Sequence, residues 1–182
     1  MPGIYHDVMS PEPRPRVSLR RVTHADRDAF LAMARLSLDL HRPWVTSPTT
    51  PEAFDRYLAR FDGVRAIGHV LVLADALVGF VNLNDIGDDG AMIGFGVFAP
   101  AMGRGCMREG LDLALRLAFH DLGLPRVSAD VQPSNVPCVR LLKGAGFTLH
   151  PGRSTVIHVG GADRLHERWS LAREEFFATS TP

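Results

Sequence analysis

Apolar and polar positions along this chain repeat with two different periods, and the order in which those periods alternate narrows the fold. "VSLRRV" (Val17 to Val22) alternates apolar and charged residues, the pattern of a strand with one buried face. Thr23 is placed to cap a following helix, with Asp26 near the positive end of its dipole. That helix presents Phe30, Leu31, Met33 and Leu38 and is expected to stop before Pro43. A second helix has Thr50 as cap and Pro51 at its first position, then Phe54, Tyr57, Leu58 and Phe61 at helical spacing.

The middle of the chain changes period. "IGHVLVLADALVGFVNLNDI" holds two strand-like runs either side of Ala74-Asp75-Ala76, a hairpin, and "DIGDDG" is a turn cluster. "AMIGFGVFA" is a further strand with Ile93, Phe95 and Val97 on one face. Gly94 and Gly96 fall on the other, where missing side chains let something approach the backbone.

From Arg104 to Leu122 the helical period returns. Met107, Leu111, Leu115, Ala118, Phe119 and Leu122 form its apolar stripe, opposite Arg108, Asp112, Arg116 and His120, and Gly123 is placed to end it. Strand "RVSADV", a short helix from Asn135 to Ala145, strand "GFTLH" and a last strand around "DRLHERWSL" follow. This order predicts an α/β (α+β) domain on a mixed sheet, not a regular βαβ repeat. The domain is expected over residues 17–175, with a proline-rich leader at 1–16 and a loose tail at 176–182.

Composition narrows the partners. The 182 residues carry equal numbers of acidic and basic side chains, a formal net charge of zero. That argues against a long-range electrostatic funnel for nucleic acid or an anionic membrane, and Arg14, Arg16, Arg20 and Arg21 read as a solvated group. Cys106 and Cys138 lack metal-ligand spacing and make no disulfide scaffold, so no metal is expected and a cytoplasmic setting is. No segment approaches the roughly 20 apolar residues of a membrane span.

The candidate chemistry sits at "PAMGRGCMREG". Gly103 and Gly105 at a helix start expose backbone N–H groups beside the positive end of the dipole, a natural phosphate seat to which Arg104 adds a cation. The plainer alternative is that these glycines ease a tight strand-to-helix turn. Arg108 stands where the dinucleotide fingerprint needs its third glycine, and no Gly-Lys-Ser/Thr of a P-loop is present.

Taken in order, Gly94-Phe95, Gly103-Arg104-Gly105-Cys106-Met107-Arg108-Glu109-Gly110, Asn135 with Cys138, and Gly146-Phe147 resemble the GCN5-related N-acetyltransferases. The branch they are most similar to contains the ribosomal-protein and alanine N-acetyltransferases. "HRPWV" near residue 41 and "DRLHERWSL" add to the likeness, which runs from about Val17 to Arg173. It implies a V-shaped, mostly antiparallel sheet flanked by about four helices, with the strands at Ile93 to Phe98 and Arg126 to Val131 splaying around the pantetheine of acetyl-coenzyme A. It also implies that Gly96, Val97 and Phe98 pair with the pantetheine amides, and that N–H groups from Gly103 to Met107 hold the pyrophosphate. Met102 departs from the polar residue usual there.

The implied reaction is direct attack of a primary amine, a protein N-terminus or a small amine, on the thioester. A strand N–H from Val97 or Phe98 would stabilise the oxyanion. The tyrosine many relatives use to protonate the thiolate is Leu142 here, and the serine of the ribosomal branch is Cys138, which either donates that proton or only packs. Asn135 orients a water or the pantetheine, caps a helix, or does both. Glu109 reads as a first-turn carboxylate before it reads as a base. His41, Asp85 and His158 are the candidate bases; His41 and Trp44 either line the acceptor cleft or anchor the helix connection, and His166 reads as packing or facing solvent. The resemblance also raises a homodimer. Met102, Cys138 and Leu142 leave open a module that binds acyl-coenzyme A without turning it over.

Overall fold

The computed structural model describes residues 16–179, so the proline-rich leader, apart from Arg16, lies outside the described residues. One seven-stranded sheet runs β1-β2-β3-β4-β5-β7-β6, from β1 (Ser18–Arg21) and β2 (Ile67–Leu73) through β3 (Ala76–Gly87) and β4 (Gly90–Val97). Beyond β4 lie β5 (Arg126–Val131), β7 (Ala162–Ala172) and, at the edge, β6 (Thr148–Val159). Every pairing is antiparallel except β4 with β5. The expected mixed sheet is thus present, flanked among the described residues by six helices where the resemblance implies about four.

The extra helices have local causes. The first predicted helix is two, α1 (Arg27–Leu36) and α2 (Leu38–His41). Between them the buried Ser37 donates its hydroxyl to the Met33 carbonyl (2.7 Å), a back-bond that bends a helix. The same oxygen accepts the N–H of Ala99 (2.9 Å), tying this bend to the turn after β4. α3 (Pro51–Leu58) begins as its sequence dictates, the Thr50 hydroxyl accepting from the Ala53 N–H. α4 (Cys106–Arg116) continues in a widened turn whose Leu122 N–H reaches back to Leu117, and Gly123, at φ +65°, ends it.

α5 (Val136–Gly144) is followed by the longest departure from the sequence reading. β6 and β7 form one long hairpin around Gly160-Gly161, where two short strands were expected. Pro151 and Gly152, just past the expected "GFTLH" strand, sit in a bulge between Leu149 and Ser154 that holds the proline off the ladder. The tail expected to be loose from residue 176 instead starts as α6 (Arg173–Thr179), because Phe176 buries itself against Phe119 (centroids 5.0 Å apart).

The sheet buries a different cluster on each face. On one, α4 and α5 cover Leu83, Ile93, Val127, Ala129, Val131, Trp169 and Leu171. On the other, α1 and α3 bring Phe30 against Phe54, Tyr57, Phe80 and Phe98, all with centroids within 5.7 Å. Phe30 and Phe98 meet edge to face, the geometry favoured by aromatic quadrupoles.

Candidate functional site

The sheet is split at its centre. β4 holds β5 only at Ala91 with Val127 and Met92 with Ser128, and beyond these pairs the two strands diverge. On its other side β4 stays in unbroken register with β3, from Met92 opposite Asn84 to Val97 opposite Gly79. Continuing that register, Phe98 donates its N–H to the Val78 carbonyl (2.9 Å). Backbone polar groups alternate in direction along an antiparallel strand. Gly94, Gly96 and Phe98 therefore turn theirs toward β3, while Phe95 and Val97 turn theirs into the split.

These directions bear on the three residues that the resemblance expects to meet the pantetheine. Of Gly96, Val97 and Phe98, the first and last are committed to β3. The Val97 carbonyl accepts from Nε2 of His41 (2.8 Å), so its N–H is what it offers the split. Phe95, which the sequence reading did not select, offers both groups.

The split opens into a cavity of about 350 Å³ between β4, β5, α5, the β6–β7 hairpin and the loop after α2. Side-chain alternation gives it two sides. Ile93, Phe95, Ala129, Val131 and Cys138 line it from the α4–α5 face of the sheet. Gly94, Asp130, Gln132 and His166 line it from the α1–α3 face, closed over by Trp44, Val45 and Thr46. Gly94 and Gly96 of β4 are not equivalent: a Cβ on Gly96 would strike the Phe80 ring, whereas one on Gly94 would meet nothing within 4 Å. Gly94 alone keeps the backbone approachable.

Several side chains fix this geometry. Gln132 donates to the Pro43 carbonyl (2.6 Å), and a Cβ on Gly160 would collide with the Arg42 carbonyl, so β5 and the hairpin tip both grip the loop after α2. Arg168 binds both carboxylate oxygens of Asp130 across the β5–β7 ladder, with Nη2 to Oδ2 at 2.8 Å.

The candidate residues disperse. His41 is buried, with Nε2–H given to Val97 and Nδ1 facing the Ser47 hydroxyl (3.1 Å), and burial pulls its pKa below the usual imidazole value. Both ring nitrogens are engaged, so it braces the end of β4 and has no lone pair to give an acceptor. Asp85 sits exposed on β3 at φ +52°, outside the cavity, in the irregular register between Asn84 and Gly87. His158 lies exposed at the rim, its Nδ1 on Asp163 (2.8 Å).

Asn135 lines the cavity and also caps α5, accepting the Cys138 N–H (3.3 Å). Burial pushes the Cys138 thiol up to about 12, which keeps it protonated and removes it as a nucleophile. Leu142 is wholly buried core. Glu109 is spent on structure: its carboxylate accepts from the N–H of Arg16 and Val17 and from the Arg16 guanidinium. His166, expected to pack or to face solvent, is buried and also lines the cavity, with Nδ1 donating to the Arg164 carbonyl (2.9 Å). Only strand alternation from Trp169, on the opposite face, signalled it.

At the glycine pair, Gly103 (φ +74°) and Gly105 (φ +79°) take left-handed conformations that favour glycine. The N–H groups of Met102 and Arg104 close turns onto Ala99 and Ala101. Those of Gly103, Gly105, Cys106 and Met107 find no acceptor among the described residues, and all four lie at the start of α4. The Met102 side chain is exposed and contributes no polar group. Among the described residues no cluster of three His, Cys, Asp or Glu side chains is set to hold a metal, and no helix is long and apolar enough to cross a membrane.

Known proteins match this chain in sequence and in fold. A family model described as an acetyltransferase (GNAT) domain matches residues 16–148. A probable N-acetyltransferase, YjcK of Bacillus subtilis, is 38% identical over 76 residues, a stretch covering 40% of this chain and 42% of that protein. The ribosomal-protein-S5-alanine acetyltransferase of Vibrio fischeri superposes with TM-score 0.78 at 18% identity, over 88% of this chain and 95% of that one. A spermidine N-acetyltransferase of Vibrio cholerae, solved with coenzyme A and spermine, superposes with TM-score 0.76 at 17% identity, over 89% and 98%. With a split sheet, a glycine-opened strand and a bare helix N-terminus in the matched region, the chain belongs to the GNAT acetyltransferase-domain family.

Proposed function

We propose that this protein transfers the acetyl group of acetyl-coenzyme A to a primary amine by direct attack within a ternary complex, in the manner of the ribosomal-protein N-acetyltransferases. The observation that carries the reading is the β4–β5 divergence, which turns the polar groups of Phe95 and the N–H of Val97 into open space. The pantetheine arm enters from the α4–α5 side and pairs with Phe95. The pyrophosphate sits on the N–H groups of Gly103, Gly105, Cys106 and Met107, and Arg104 adds charge. The Val97 N–H stabilises the oxyanion as the amine attacks. Asn135 stands beside the thioester end of the arm.

The acceptor enters from the opposite face, past Gly94 and under Trp44. Asp130 is the one carboxylate among the residues lining this cavity, and Arg168 already neutralises it. A polyamine brings several cations that this wall does not balance, at a heavy desolvation cost. A single amine flanked by uncharged groups fits better, above all a protein N-terminal α-amine, whose pKa of about 8 leaves far less proton to remove than a lysine. The two free cysteines suit a reducing, cytoplasmic compartment. The resemblance also carries a homodimer, which sedimentation reads directly.

A second reading has its own observation. The Phe98 N–H is taken by Val78 and the Val97 carbonyl by His41, which leaves fewer groups for the thioester and suits a module that binds acyl-coenzyme A without turnover. One experiment separates the two. Purified protein is incubated with acetyl-coenzyme A and a panel of N-terminal peptides, small monoamines and spermidine, and free thiol is read. Release with peptides or monoamines, well above that with spermidine, is the expected result; calorimetric binding of coenzyme A with no release from any amine establishes the module.

A further inference from the structure

We propose that His166 is the general base of the transfer, removing the acceptor's proton at Nε2. This rests on the reading above, that an amine attacks the thioester inside the cavity, and adds the group that takes its proton. His166 lies on β7 opposite Thr155 of β6, on the same face of the sheet as Asp130 and Gln132, which is the side from which the acceptor enters. The Arg164 carbonyl only accepts, so the 2.9 Å contact to Nδ1 fixes the hydrogen there in the neutral ring. Nε2, the outer nitrogen, then holds a lone pair and has no partner among the described residues.

The other basic groups are placed differently. His41 has both nitrogens engaged, Asp130 has both oxygens on Arg168, and His158 stands at the exposed rim on Asp163. Asp85 does not reach the cavity. In the step itself the amine nitrogen bonds to the thioester carbonyl carbon and the C–S bond breaks. The proton on nitrogen passes to Nε2 of His166, and coenzyme A leaves as thiolate and takes a proton from solvent. Base and thioester carrier thus reach the carbonyl from opposite faces of one split sheet.

The test compares His166→Gln with wild type on the best acceptor of the panel. Loss of a general base predicts a kcat lower by about 100-fold or more, with the affinity for coenzyme A by calorimetry unchanged within about twofold. The acceptor's own amine, with a pKa of about 8, leaves an acidic limb in kcat/KM for both proteins, so the comparison is made on the pH profile of kcat at saturating acceptor, which the variant is expected to change. Other charged or titratable groups near the ring are Asp130 of β5, Arg164 and Arg168 of β7, Cys138 of α5 and the His158–Asp163 pair of the hairpin. The loop after α2 lines the cavity with none.

A variant with near wild-type kcat and an unchanged pH profile overturns the proposal while leaving acetyl transfer intact. A wild-type protein that acetylates no amine overturns the transferase reading and this base with it, and is seen before any variant is made. Histidine-nitrogen NMR of the wild type needs no folded variant: the Nδ1–H tautomer is expected at His166, and Nε2–H overturns the assignment.

Discussion

His69 shows what burial does to a single ionisable side chain in this fold. It is buried on β2 with Nδ1 unpartnered, and burial, then the nearby Arg21 guanidinium, pulls its pKa down to about 4. The unfolded chain takes up a proton near pH 6.5 that the native ring refuses, so stability falls as pH drops from 6.5 toward 4. His41, also depressed by burial, adds to the same slope. Between pH 7 and 5 His69 alone removes on the order of 2 kcal/mol, and urea titrations are expected to show that slope flattened in His69→Leu. Cys138 invites a second test. A thiol near 12 lies about three pK units above an ordinary thiol, so proton donation to a departing thiolate runs uphill. Cys138→Ala, which leaves no donor at that position, is therefore expected to keep kcat well within the roughly 100-fold that loss of a general acid costs. A larger fall with normal coenzyme A binding contradicts the packing role.

The elements around the site depend on a few backbone positions. Gly105 holds φ +79° where α4 begins, and an alanine there costs about 1–2 kcal/mol of strain or a twist that reorients the neighbouring N–H groups. Gly105→Ala is expected to weaken coenzyme A binding by about tenfold in calorimetry, the equivalent of about 1.4 kcal/mol; unchanged affinity places the pyrophosphate elsewhere. Gly160→Ala both strains φ +63° and drives a Cβ into the Arg42 carbonyl. It lifts the hairpin from the loop after α2, so a lower melting temperature and a raised KM for the acceptor, with coenzyme A affinity retained, are expected. At this scale the sequence was informative where chemistry is local. Thr50-Pro51, Gly123 and the Gly103–Gly105 pair announce caps and starts by residue type alone. It was silent where tertiary contact decides: Ser37 breaks a helix because Ala99 needs its hydroxyl, and Pro151 is absorbed into a bulge of β6. Gly94 and Gly96 looked alike until Phe80 covered one of them. His166 looked like any alternating strand residue until the hairpin placed it over the split.

As a whole, the molecule is one sheet pried open at the only parallel pairing among the described residues, with a separate hydrophobic cluster covering each face. The clusters hold β3–β4 and β5–β7 as two antiparallel halves, and the two residue pairs joining them act as the vertex. A ligand that replaces the missing ladder beyond Met92 completes the sheet, which ties cofactor binding to the fold itself. Residue-resolved amide hydrogen exchange, with and without coenzyme A, reads that directly. New protection is expected at Phe95 and Val97 and at Gly103, Gly105, Cys106 and Met107, while Phe98, already bonded to Val78, stays protected in both states. Saturating coenzyme A that leaves Phe95 and Val97 exchanging as before would contradict that completion of the sheet.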